Sequence, residues 1–204
     1  MSVVITASAA IDLGDALAQI ATALRVPVLI AAIAVLLLCA LEVGRFGAEW
    51  WRRRVRARGL DLGELAARAI AEPQHAGYYG ALAPSAAAAA AVVDLAAEAP
   101  RAETERALAR YELNVQKRLD RTRLLVRAGP ALGLMGTLIP LAPGLAALGE
   151  GEVTQLAENL RDAFGATVVG LLVGTVAFAL TLARTRMYSE DLVDLEQGVA
   201  GASR

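Results

Sequence analysis

The segment AGPALGLMGTLIPLAPGLAALG, residues 128–149, runs without a single charged side chain, and AFGATVVGLLVGTVAFALTLA, residues 163–183, does the same. A bilayer's hydrocarbon core is about 30 Å thick and takes about 20 helical residues to cross, so each run is long enough to span once. A third apolar run, VPVLIAAIAVLLLCAL at 26–41, reaches that length when extended to residue 44. Its Pro27 falls in the first turn, where the missing N–H removes no helical bond. Composition agrees: 56% of the 204 residues are hydrophobic, and they gather into blocks instead of spreading at helix or strand period. The expected fold class is an all-α integral membrane protein with three transmembrane helices, the second extended into the cytoplasm.

Charge placement sets the expected orientation. Arg45, Arg52, Arg53, Arg54, Arg56 and Arg58 follow the first run, and Lys117, Arg118, Arg121, Arg123 and Arg127 precede the second. Basic residues near span ends mark the cytoplasmic side, which predicts an outside N-terminus and a cytoplasmic C-terminus. The linker between the second and third runs, with Glu150, Glu152, Glu158 and Asp162 against Arg161, is then external, and Arg184 and Arg186 lie inside. The resulting organisation is an external segment at 1–25, a first span at 26–44 and a cytoplasmic helical region at 45–123. A second span at 124–148, an external loop at 149–162, a third span at 163–183 and a cytoplasmic tail at 184–204 complete it. Residues 5–24 read as an amphipathic helix on the outer interface or a loose tail. They hold Asp12 and Asp15 and no basic n-region, so the first span is expected to be a retained anchor and not a cleaved signal. The net charge of −1 gives no sign of a nucleic-acid partner. WWRRRVRAR, residues 50–58, fits an interfacial anchor that attracts anionic membrane lipids.

Within 45–123, the stretch EPQHAGYYGALAP at 72–84 reads as a break flanked by short helices. Residues 85–98 are alanine-rich but too short to cross, and read as a soluble helix. From Arg101 to Ala128 neither Pro nor Gly occurs, and Leu108, Tyr111, Val115, Leu119, Thr122 and Val126 recur at spacings of three and four. That stripe predicts a long helix projecting roughly 40 Å from the second span and packing against other helices.

Catalytic signatures are missing: there is no phosphate-binding Gly-rich loop, no H-E-x-x-H and no G-x-S-x-G. An enzyme is not expected, nor any cofactor. One cysteine, Cys39, and one histidine, His75, cannot assemble a metal site within one chain. The second and third runs hold no acid or histidine that would relay protons, so an ion path here needs an acid from another chain. They do carry small faces: Gly129, Gly133, Gly136, Thr137, Pro140 and Gly144 in one, Ala163, Thr167, Gly170, Gly174, Ala177 and Thr181 in the other. Such faces let helices approach closely, and packing within the subunit and a pore lining both remain open on spacing alone.

PALGLMGTLIPLAPGLAAL (130–148) and LRDAFGATVVGLLVGTVAF (160–178) resemble the two pore helices of the MotA/TolQ/ExbB proton channel family, and the three-span layout resembles its TolQ/ExbB branch. The resemblance implies that GLMGT and ATVVGL place pore threonines at Thr137 and Thr167. It also implies that Asp162, five residues before the second threonine, stands at the pore mouth. Gly133, Gly136, Pro140, Gly170 and Gly174 belong to the pore face or to helix packing. Pro140 departs from the glycine common in those relatives and implies a kink. The resemblance further implies a homo-oligomer of five copies around single-span ExbD/TolR/MotB-like partners carrying a membrane aspartate, in a bacterial or archaeal cell membrane. The chain would be the channel-forming subunit of an ion-driven motor. The rivals are a non-conducting scaffold and a small-solute transporter, and the latter calls for an internal repeat that is not visible.

Overall fold

The computed structural model describes residues 2–56, 60–97 and 101–202, with side chains from residue 19 onward except at 21, 56 and 101. Every element among them is helical: α1 (Ser2–Arg56), α2 (Leu62–Ala71), a 3₁₀ turn (Pro73–His75), α3 (Ala76–Leu82), α4 (Ala86–Ala97), α5 (Arg101–Gly149) and α6 (Val153–Ala202). Three of these, over Thr22–Val55, Ala102–Gly149 and Val153–Ala202, are long and apolar enough to cross a membrane. The expected all-helical fold with three such helices is therefore what the chain adopts. The chain divides into two compact units, Met1–Ala40 with Leu124–Ala177, and Leu41–Arg123 with Phe178–Arg204, so α1, α5 and α6 each contribute to both.

The first unit has little interior and much exposed apolar surface. Its core is Cys39, Leu125, Val173 and Ala177, with Val35, Val126 and Val176 packed around them. Ile30, Leu37, Leu134, Leu138, Phe164 and Val168 are all more than half exposed. A water-soluble protein rarely leaves such a belt uncovered, whereas lipid tails solvate it. Helix α1 is continuous through residue 25, so the backbone does not separate an interfacial helix from the span. The amphipathic face expected of residues 5–24 falls largely on side chains outside the described residues. Helix α5 likewise continues through Pro130, Pro140 and Pro143.

A tight turn joins α5 to α6. Glu152 N–H donates to Ala147 C=O at 2.9 Å and Gly151 N–H to Leu148 C=O at 3.1 Å, the paired bonds that close a helix whose next residue is left-handed. Gly151, at φ 86°, is that residue. So short a connection makes α5 and α6 antiparallel neighbours and sets their register.

The second unit holds the larger core. Leu62, Ala66 and Ala69 of α2, Ala87, Ala88, Ala91, Val92 and Leu95 of α4, Tyr111 of α5 and Leu195 of α6 come together there. The alanine-rich 86–97 stretch is thus a helix packed on one face, begun by Ser85, whose Oγ accepts the Ala88 N–H at 3.0 Å. The stripe read along α5 is buried in the same sense: Tyr111, Leu119 and Thr122 are all less than 5% exposed, and Leu108 and Val115 pack on the core. Its partner helices come from this same chain. The break at 72–84 proves to be helical itself, holding the 3₁₀ turn and α3. Pro73 opens the turn, where a missing N–H is harmless, and Pro84 lies just beyond α3.

Candidate ion pathway on the α5–α6 pair

The small faces of α5 and α6 are turned toward each other. A Cβ on Gly170 would stand 2.5 Å from Gly129 O and 2.8 Å from Gly133 Cα, and one on Gly174 would stand 2.8 Å from Pro130 Cγ. On the other side, a Cβ on Gly133 would lie 3.3 Å from Ala166 O, and one on Gly136 2.6 Å from Ala166 Cβ. Ala163 and Ala177 of the same α6 face are buried. Hence Gly133, Gly136, Gly170 and Gly174 are contacts between two helices of one chain, where any side chain would hold the backbones apart.

Register and helical phase then locate the threonines. Thr137 and Thr167 each follow a residue of the facing Gly136–Ala166 contact, and at about 100° per residue in antiparallel helices both turn to the same side of the pair. They also lie at nearly one level, about 3 Å apart along the axis. Thr137 Oγ1 donates to Leu134 C=O at 2.7 Å and Thr167 Oγ1 to Ala163 C=O at 3.4 Å, so each hydroxyl proton is directed into its own helix and its lone pairs face outward.

Asp162 is not with them. It lies on the opposite side of the pair, exposed, lining a cavity of about 490 Å³ with Arg25, Leu29 and Ile33 of α1 and with Pro140 and Arg161. Pro140 is buried and is part of this cavity's lining. Helix α1 covers the Asp162 side of the pair and leaves the threonine side open.

A polar seam between α1 and α6 in the second unit was not foreseen. Glu42 Oε2 accepts from Arg184 Nη1 at 2.7 Å, with both side chains under 10% exposed, and Glu42 Oε1 accepts from Arg45 Nη1 at 3.0 Å. Tyr188 Oη donates to Glu49 Oε2 at 3.2 Å. Arg53 donates to both carboxylate oxygens of Asp191, at 2.8 and 2.6 Å, and Tyr111 Oη adds a bond of 3.2 Å. Burial and then the Asp191 carboxylate push the Tyr111 hydroxyl above its usual range, so it stays a donor. Partners 42–184, 49–188 and 53–191 ascend together, so the two helices run parallel here and the seam fixes their rotation. The sequence held one signal for it: Glu42 interrupts the apolar stretch read as 26–44.

Three long apolar helices with lipid-type surfaces, two of them closed on each other through glycine, define a multi-pass membrane protein. Residues 76–197, more than half the chain, match the MotA/TolQ/ExbB proton channel family, and the chain belongs to that family. No curated protein and no solved structure matches it.

Proposed function

We propose that this chain is the channel-forming subunit of a proton-driven membrane motor of the TolQ/ExbB-like branch. Its N-terminus is outside, its C-terminus cytoplasmic, and residues 101–123 of α5 project into the cytoplasm. Five copies form a ring around single-span partner helices, each bringing a membrane aspartate that takes up and releases the proton. The membrane is the cell membrane, or the inner one where there are two. The observation that carries this reading is the pair Thr137 and Thr167, level with each other on the side of the α5–α6 pair that α1 leaves open. Their outward lone pairs suit water or a proton-bearing carboxyl, and the uncharged runs 128–149 and 163–183 leave the acid to the partner. Asp162 stands on the α1-covered side of the pair, away from the threonines, so the pathway proposed here runs past Thr137 and Thr167 without it. Moving one charge through 100 mV releases about 2.3 kcal/mol, enough to bias rotation of a partner pair within a smooth wall.

One observation favours a non-conducting scaffold instead: the glycine faces are consumed in packing within the chain, and both threonine protons bond their own helices. Thr→Val separates the two, because it nearly keeps the shape while deleting the hydroxyl. Thr137→Val or Thr167→Val should leave the ring's mass unchanged by native mass spectrometry and lower partner-dependent proton flux into liposomes, with Ser retaining more flux than Val. Full flux from the double Val variant would reduce the hydroxyls to packing groups. No flux from the wild-type complex under any gradient would favour the scaffold.

A further inference from the structure

The second unit contains a cavity of about 600 Å³ walled by α1, α4, α5 and α6, which the ion pathway does not use. Arg45, Arg52, Lys117, Arg118, Arg121 and Arg184 line it, against Glu42 and Glu49 alone. Glu42 is engaged by Arg184 and Arg45; Glu49 accepts from Tyr188 through Oε2, while its Oε1 stands 3.7 Å from Arg53 without a hydrogen bond. Among the described residues no carboxylate pairs with Arg52, Lys117, Arg118 or Arg121, so the cavity carries uncompensated positive charge.

Two further features point to an anion. Arg184 is 4% exposed, and its Nε–H has no hydrogen-bond acceptor; Glu49 Oε2 stands 4.0 Å away. A buried donor left unsatisfied is costly, and an anionic oxygen in the cavity relieves it. Helix α4 also begins at the wall, through Ser85, Ala86 and Ala87. Ser85 Oγ caps the Ala88 amide, which leaves the first-turn amides of Ala86 and Ala87 without an intrahelical acceptor beside the cationic side chains.

We infer that this cavity binds the phosphate of an anionic phospholipid headgroup. Its cationic walls lie next to each apolar run in sequence: 45 and 52 follow 26–44, 117–121 precede 128–149, and 184 follows 163–183. Arg45 and Arg184 each follow their apolar run by one residue, which puts that end of the cavity at headgroup level, while Arg52, Lys117, Arg118 and Arg121 carry it about 10–16 Å further along the helices. Basic pockets at the cytoplasmic ends of spanning helices take up anionic lipid. Trp51 is 68% exposed, and Arg54 stacks on Trp50 at 3.9 Å, an anchor suited to the same interface.

The test is retention of lipid by the full chain, by native mass spectrometry, after release from nanodiscs containing phosphatidylglycerol and phosphatidylcholine. Wild type should keep one phosphatidylglycerol per chain. The triple variant Lys117→Gln, Arg118→Gln, Arg121→Gln should weaken binding at least about tenfold. Ala90→Glu puts an acid into the cavity from an exposed helical position compatible with folding, and should act in the same direction. A control triple of equal charge loss outside the cavity, Arg106→Gln, Arg123→Gln, Arg127→Gln, should change it less than about threefold. Equal losses from the two triples, or phosphatidylcholine retained as well as phosphatidylglycerol, would overturn the site. Inorganic phosphate binding to lipid-free protein with the same variant dependence, and no lipid retained, would assign the cavity to soluble phosphate and overturn the lipid.

Discussion

Gly170→Ala adds one methyl group at the tightest point between α5 and α6. The new Cβ would meet Gly129 O at 2.5 Å, Gly133 Cα at 2.8 Å and Gly133 N at 3.0 Å. Carbon and oxygen ordinarily approach to about 3.3–3.6 Å, so the helices must part by nearly 1 Å, and every atom met is backbone that cannot swing aside. A gap of about 0.5–1 Å forfeits a quarter to a half of each dispersion contact along the interface, consistent with the roughly 1–3 kcal/mol typical of overpacking. Gly165, one turn away, provides the comparison, since nothing lies within 4 Å of a Cβ there. Gly165→Ala keeps the packing and gains helix propensity of up to about 1 kcal/mol. Both substitutions gain the same helix propensity, so they should differ by the roughly 1–3 kcal/mol of overpacking, with Gly170→Ala the less stable, read as SDS-induced unfolding in mixed micelles with helicity followed by circular dichroism. A difference below about 0.5 kcal/mol would refute the close approach. Gly174→Leu, against the Pro130 ring, should likewise be severe, and Leu172→Phe, on an exposed face, mild.

Arg184→Met leaves Glu42 buried and short of its nearer partner, which should cost about 3–5 kcal/mol, and adding Glu42→Gln should recover part of it; a single variant as stable as wild type in the same unfolding assay would contradict the seam. Tyr111→Phe removes one bond to Asp191 while Arg53 still holds both carboxylate oxygens, so the loss should be about 1 kcal/mol, whereas Arg53→Met should cost several times more. Equal effects of the two would mean that Arg53 does not carry the seam there. For topology, Gln155→Cys in a Cys39→Ala background should react with an impermeant thiol reagent from the external side of intact cells, and reaction only from the cytoplasmic side would reverse the assigned orientation.

The membrane-spanning class was legible in the sequence because it depends on a local property. A backbone in lipid must satisfy its own hydrogen bonds, which demands long apolar helices, and residues 128–149 and 163–183, together with 26–44 despite Glu42 near its end, announce themselves by length and composition. The buried stripe of α5, from Leu108 to Thr122, was legible for a similar reason, since helical periodicity reports a packed face. The helix inside 72–84 was not, because two prolines and two glycines look like punctuation until their places at the edges and inside of short turns are known.

What the sequence determined by itself, then, is which surfaces must meet something: the lipid belts, the glycine faces and the threonines at 137 and 167. What they meet is decided by tertiary structure. The glycines of α5 face those of α6 because the three-residue turn around Gly151 sets an antiparallel register, and that same register brings the two threonines level and turns Asp162 to the other side. Glu42 and Arg184 are 142 positions apart, and no periodicity links them. Their pairing, like the cationic cavity beside it, exists only once three long helices are held side by side, because charge complementarity across such a distance is a property of packing and not of local sequence.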